Sequence, residues 1–574
     1  MMIPGALGVV ALALILGLVG IAVYEFSGTD SSGADLQREG TRAEGQELLG
    51  SLEEISLSVE SRFHEISLAL RHRDRARLRA WVGESVESGA FPPQDFFTES
   101  EMLYGEDAQW KAGIQTRDIP ADALIASIDR LIDPFDEVLD LRIKMLEARA
   151  LENGEGRQGR LELSVVGRVP SAKRAWLRME ARYLMAQRGE GWSLERFIPE
   201  ALSWSIVPLA AFEERARLCG IMRTPALSPV GNRDHNIAYG AATGDLNRDG
   251  ILDIVALNRD RIFVYLGTPA GVYKERASQM DIQLPKEKLQ ATAVLITDYD
   301  NDGDSDLFFS GYGLPQLLEQ RGERDGLPYY VNNSNELGFR VSLLGMSAVS
   351  ADLNGDRRPD FYITAYGDES SGPPNRYDYA SNGNPNVLLL SQEDGSYRDV
   401  AAQWGVNHGG WSLAAAFADV DSDGDADLYV ANDFGGGDVL YFNEGGAFKT
   451  KEGIQRVLGR GFGMGVSFGD YDNDGDLDVH VTNMSSKAGR RILGIVEGEA
   501  FPALSDMPAL KRMTQGNLLY ENLGQGQLRD ISAQAGPFPG GWAWGGGFLD
   551  FDNDGNQDLH TPNGFLSGRA YDDT

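Results

Sequence analysis

Six times between Asp245 and Asp558 the chain repeats one nine-residue pattern. An acid or amide stands at positions 1, 3 and 5, and an aspartate at position 9. The fullest copy is Asp470-Tyr471-Asp472-Asn473-Asp474-Gly475-Asp476-Leu477-Asp478; the others begin at Asp245, Asp298, Asp352, Asp419 and Asp550. Side chains at alternate positions converge only if the backbone wraps around something small. A hard cation such as calcium, which takes about 6–8 oxygen ligands in a flexible shell, fits that demand. The turn at position 6 favours glycine, which tolerates left-handed dihedrals; the copy at Asp352 has Arg357 there instead. A carbonyl at position 7 and the carboxylate at position 9 complete the expected shell.

The spacing therefore predicts six ligand sets. They are Asp245, Asn247, Asp249 and Asp253; Asp298, Asp300, Asp302 and Asp306; Asp352, Asn354, Asp356 and Asp360. The remaining three are Asp419, Asp421, Asp423 and Asp427; Asp470, Asp472, Asp474 and Asp478; Asp550, Asp552, Asp554 and Asp558. An EF-hand would need Glu at position 12, where the copy at Asp298 has Phe309. Solvated acidic turns would account for one such loop. They do not account for six in register, because that much unpaired charge repels itself.

The loops hold 25 aspartates, a large part of the acidity behind a net charge of −34. So acidic a chain lacks the basic surface that nucleic acid requires. The single cysteine, Cys219, excludes an internal disulfide framework and reads as a small buried side chain.

Residues Ile3 to Val23 are almost continuously apolar, about the length that spans a bilayer. Residues 1–26 are thus expected to be an uncleaved transmembrane signal anchor, with cleavage and secretion as the alternative. Calcium sites of micromolar or weaker affinity fill outside the cytoplasm, which places the bulk of the chain on the extracytoplasmic side. Residues 27–40 read as a flexible linker.

Between linker and repeats, residues 41–204 read as an α+β domain. Leu48, Leu52, Ile55, Val59, Phe63, Ile66 and Leu70 give residues 41–80 one apolar helical face, and 120–132 form a second helix. From Glu137 the period changes to two, with breaks at Asn153-Gly154-Glu155-Gly156 and Arg188-Gly189-Glu190-Gly191. Helices followed by an antiparallel meander, closing on Gly191-Trp192-Ser193-Leu194-Glu195-Arg196-Phe197, resemble the NTF2-like cone fold. His64 and His72 sit on a charged helix and read as solvated.

From 205 to 574 the loops are spaced 53, 54, 67, 51 and 80 residues apart, the period of a propeller, solenoid or array. Short β-like runs flank each loop, as in Gly463–Phe468 and Leu477–Val481. Two more follow, giving four strands per repeat, as in a propeller blade. These repeats, with Tyr397-Arg398-Asp399-Val400-Ala401-Ala402-Gln403-Trp404-Gly405-Val406 ahead of a blade, resemble the FG-GAP/VCBS repeats of the integrin-alpha type. The last copy, Gly541-Trp542-Ala543-Trp544-Gly545-Gly546-Gly547-Phe548-Leu549-Asp550, resembles the cartilage-acidic-protein family. Members of that family commonly continue into an ASPIC and UnbV domain, which does not follow here before Thr574.

The fold class expected is mainly β: a calcium-loop β-propeller of six motif-bearing blades, with room for a partial seventh from 205–236. The final blade borrows strands from near Trp204–Phe212, or the array stays open, or the chain is a truncated product. An insertion over Ser485–Gln515 carries Lys487, Arg490, Arg491, Lys511 and Arg512 and is the candidate binding element; a packing insert is its alternative. Trp411, Trp542 and Trp544 line a ligand surface or pack between blades. His480 and His560 share one strand position and read as structural.

With no catalytic constellation among these residues, the function expected is non-enzymatic. It is a membrane-anchored, extracytoplasmic, calcium-binding propeller that binds a protein or glycan partner in adhesion. A scaffold subunit of a cell-envelope complex is the alternative, and an enzyme using the propeller face or the NTF2-like pocket a further one.

Overall fold

The computed structural model describes residues 61–562. It leaves out 98–106, 152–155, 171–173, 208–214, 222–239, 368–370, 376–379, 486–492, 494–510, 536–540 and single or paired positions elsewhere. The expected anchor, the linker, the start of the first helix and most of the basic insertion, with Lys487, Arg490 and Arg491, lie outside the described residues; Arg512 of the insertion is described and pairs with Asp530. Among those described, no helix is long and apolar enough to cross a membrane. The main run of the chain divides into two compact units between Glu213 and Glu214.

The first unit packs helices against an eight-stranded sheet. The helical period expected to 80 is interrupted: one helix ends at 71 and another spans Arg75–Trp81. Asp74 caps the second by accepting the Arg77 amide at 3.1 Å. The helix Ala121–Ile132 buries Leu124, Ile125, Ile128 and Leu131. The meander runs through Glu137–Met145, Gly156–Arg168, Arg174–Arg188 and Gly191–Val207. Three further strands, Val82–Ser88, Asp107–Lys111 and Arg117–Pro120, were not legible in the sequence. The interior cavity is about 30 Å³ and is lined by apolar side chains alone, Phe63, Leu70, Leu124 and Leu161 among them. His64 and His72 are exposed.

Trp204 belongs to this sheet, not to a blade. It is buried and pairs with Leu177, and its strand runs on to Val207. Residues 204–207 are therefore committed to the first unit and cannot complete a repeat. Cys219, expected to be buried, is half-buried.

The second unit is built from the repeats, numbered here one to six by their loops. Repeats one to five each supply four antiparallel strands in order, and the nine-residue loop joins the first strand to the second. In repeat five the strands are Gly463–Gly469, Asp478–Asn483, Leu518–Asn522 and Leu528–Asp530. Two strands of repeat six are described, Gly547–Leu549 and Asp558–His560.

The second strands hold the array together. In repeats three, four and five all six residues of that strand are buried. Alternation sends them to two different cores. Leu428 and Val430 pack with Tyr362 and Leu388 of repeat three; Tyr429 and Ala431 pack with Val479 and Val481 of repeat five. Repeat two divides the same way, with Leu307 and Phe309 toward repeat one and Phe308 stacked on Phe361 of repeat three at 4.1 Å. Each large apolar side chain so buried contributes roughly 1.5–3 kcal/mol. His480 takes the equivalent place in repeat five. It is buried, faces Phe548 of repeat six, and meets the Leu518 carbonyl and the Thr561 hydroxyl at 3.0 and 3.3 Å. Burial lowers its pKa to about 4, so it packs as a neutral ring.

A second recurrent device precedes the third strand. The side-chain oxygen of Asn386, Asp438 or Asn517 accepts the amide of Ala365, Asn432 or Asn483 at 2.8–3.0 Å. Repeat four alone of these three uses an acid. Asp438 is buried, accepts the Tyr429 hydroxyl at 2.9 Å, and burial pushes it up to about 7. A raised folded pKa means the acid contributes stability below its unfolded pKa and loses it as pH rises through about 7. Asp438→Asn is expected to remove that loss, raising stability at pH 8 by ~1–3 kcal/mol with little change at pH 4. Denaturant unfolding at the two pH values checks this; equal shifts at both would refute it.

Candidate metal centre

Each loop is first a backbone device. The position-1 carboxylate accepts the amides of positions 5 and 6, at 3.0 and 3.1 Å from Asp474 and Gly475 in repeat five. The position-5 carboxylate accepts the amide of position 7, as Asp474 does from Asp476 at 2.9 Å. Two residues per loop are left-handed. Position 6 is one, with φ of 93° at Gly475 and 69° at Arg357. Position 4, which sequence reasoning missed, is the other: Arg248, Asn301, Ser422, Asn473 and Asn553 all have φ near 60°, and repeat three has Gly355 there. Asparagine in three of those places was the available signal, since it visits this region more readily than most residues.

The position-9 aspartate does more than complete a shell. In all six repeats one of its oxygens accepts the position-2 amide, as Asp427 does from Val420 at 3.0 Å. In repeats one to five the other oxygen accepts an amide at or just past the third strand: from Gly267, Gln320, Ser391, Asn443 and Asn522, at 2.7–2.9 Å. This residue therefore ties the loop to the sheet. In those five repeats it is buried, at 0 or 1% exposure. Burial, reinforced by neighbouring loop carboxylates, raises Asp306 to about 7 and Asp360, Asp427 and Asp478 to about 6. Burying these acids beside ionised neighbours is unfavourable, and a positive charge in the loop would offset that cost.

The loops do not converge equally. Carboxylate oxygens of Asp298, Asp300 and Asp302 lie within 4.8 Å of one another, as do those of Asp419, Asp421 and Asp427, and those of Asp470, Asp472 and Asp478. Asp421 in repeat four meets Lys451 Nζ through Oδ2 at 3.0 Å, while its Oδ1 is buried without a hydrogen-bond partner. A buried, orphaned carboxylate oxygen inside a cluster of acids is what a cation site presents before its ion. In repeats one and three, position 3 is an asparagine, and its amide nitrogen turns onto the position-5 carboxylate at 3.1 and 3.2 Å. Asp552 of repeat six lies outside the described residues, so that set is not assembled here.

Adjacent loops also touch. Arg248 pairs with Asp304 at 2.7 Å, and Asn301 donates to the Arg357 carbonyl at 2.7 Å. Asn473 donates to Asn556 at 3.0 Å. Position 4 thus links repeats one to three and repeats five to six along the edge where the loops lie. Trp411 is buried, with Tyr366 at 4.8 Å and Phe434 at 5.4 Å, so it packs between repeats three and four.

These features define a class: an array of four-stranded β-sheets with one acidic, cation-type loop between the first two strands of each repeat. The chain carries FG-GAP-like repeats, matched over residues 245–309, 298–363, 352–430 and 419–481, each window running from one loop to just past the next. Its relatives include human cartilage acidic protein 1, 24% identical over 313 residues covering 50% of this chain and 45% of the relative. The Xenopus tropicalis protein of the same name is 25% identical over 265 residues, covering 42% and 39%. The chain spans less than half the length of these relatives. Among solved structures, a putative scytalone dehydratase from Novosphingobium aromaticivorans covers 28% of this chain and 91% of its own at 11% identity and a TM-score of 0.21. An Agrocybe aegerita lectin that recognises non-reducing terminal N-acetylglucosamine covers 78% and 94% at 12% identity and a TM-score of 0.29.

Proposed function

We propose that the protein is an extracytoplasmic β-propeller, anchored by its apolar amino-terminal segment, whose blades are fixed by calcium and which binds a protein or glycan partner. The observation that carries the calcium role is the orphaned Asp421 oxygen within the Asp419–Asp421–Asp427 cluster, with like clusters in repeats two and five. Calcium would supply the positive charge that these carboxylates share. The protein's own part is to hold the oxygens in place through the backbone bonds to positions 1, 5 and 9. The adhesion role is supported by the FG-GAP-like repeats and by relatives named for an acidic protein of cartilage.

Calorimetric titration of chelator-stripped protein with calcium is the test. Saturable binding of several ions is expected, with Asp421→Asn removing one of them. No heat and no bound calcium at millimolar concentration would sink the reading.

A further inference from the structure

Repeat three departs from the other loops in a way that bears on how many ions the array holds. Its position-5 carboxylate, Asp356, is already fully engaged. Oδ2 accepts the Ser391 hydroxyl at 2.6 Å and the Asn354 amide nitrogen at 3.2 Å; Oδ1 accepts the Arg358 amide at 2.8 Å. Ser391 closes the third strand of the repeat, so its hydroxyl reaches back across the sheet. Asn443 and Asn522 hold the corresponding places in repeats four and five. The corresponding Oδ2 atoms of Asp302, Asp423 and Asp474 accept no hydrogen bond among the described residues, and those of Asp249 and Asp554 accept only an asparagine side chain of their own loop, so the tie to the third strand through Ser391 is what sets repeat three apart.

Cationic side chains add to the difference. Positions 6 and 7 of this loop are Arg357 and Arg358, and the Arg358 guanidinium is anchored on the Gln392 carbonyl at 3.2 Å. Asn301 of repeat two donates to the Arg357 carbonyl at 2.7 Å, fixing the turn from outside. No cluster of three converging carboxylates forms here, in contrast to repeats two, four and five.

We infer that the third loop is a calcium-independent staple. Ser391, Asn354 and Arg358 perform there the work that an ion performs in the loops with converging carboxylates, so the array holds fewer ions than it has loops. This inference rests on the calcium reading above only for the count of ions. The claim that the loop is locked by its own side chains stands on the geometry.

The experiment uses the full chain and two readouts. Native mass spectrometry in calcium counts bound ions; hydrogen exchange in chelator reports on amides 352–358. Asp356→Asn is expected to leave the ion count of the wild type unchanged, whereas Asp302→Asn lowers it by one. The third-loop amides are expected to stay protected in chelator, while those of 298–304 and 470–476 lose protection. Ser391→Ala is expected to speed exchange in 352–358 by ~10-fold, because the bonds that lock the loop set its local opening. Circular dichroism confirms that each variant is folded. A lower ion count in Asp356→Asn, or third-loop protection that requires calcium, overturns the inference. If the wild type binds no calcium, the reading of the previous section fails. The staple is then judged on the exchange arm alone, and an unchanged rate in Ser391→Ala overturns it.

Discussion

Removing calcium is expected to lower the melting temperature of this protein by more than ~10 °C. Each ion held at 100 times its dissociation constant adds about 2.7 kcal/mol to the folded state. Three clustered loops would together add roughly 8 kcal/mol on that arithmetic. For a unit of this size a kilocalorie moves the transition by about 2 °C. Scanning calorimetry with calcium and with chelator measures the difference. The shift should be larger at pH 8 than at pH 5. The position-9 acids have raised folded pKa values of about 6–7 without an ion, so the stripped protein loses stability as pH rises through that window. A transition that does not move on chelation removes calcium from the account.

The second large effect separates two kinds of aspartate within one loop. Asp427→Ala is expected to cost ~3–5 kcal/mol even in chelator, because it leaves the buried amides of Val420 and Asn443 without acceptors, and more in calcium, where an ion ligand is lost as well. Asp423→Asn retains the acceptor for the Asp425 amide and removes only charge, so it is expected to matter in calcium and hardly at all in chelator. Denaturant titration of both variants under both conditions gives four numbers. If Asp427→Ala became neutral in chelator, position 9 would be an ion ligand and nothing more.

That division of labour was only half legible in the sequence. Loop spacing is a local signal. Positions 1 and 3 converge with position 5 in repeat two and with position 9 in repeats four and five, all within one turn, so nine residues suffice to read it. The strands around the loops were legible for the same reason, as short alternating runs at fixed distances from each loop. The second role of position 9 is tertiary. Its third-strand donor is 14 residues away in repeat one and 44 in repeat five, and no fixed offset announces it. Val82–Ser88 escaped notice because it buries only Val86 and Ser88 and takes its place by pairing in parallel with the strand that holds Leu194 and Phe197. Asp438 was equally silent. An acid in a run such as Gly437-Asp438-Val439 reads as a turn residue, and only the neighbouring repeats show that the place takes an amide.

The twofold burial of the second strand has a consequence for how such a chain comes apart. A repeat cut out of the middle would expose both faces of its own second strand and strip the facing core from both neighbours. Its intrinsic stability is therefore small and the terms it shares with its neighbours are large. Disorder started at one repeat should spread to the next, not remain local. A pulling force or a protease that frees one repeat should unravel its neighbours in turn. Under load, the contacts Phe308–Phe361 and Tyr429–Val479 would be the rungs that give way one after another.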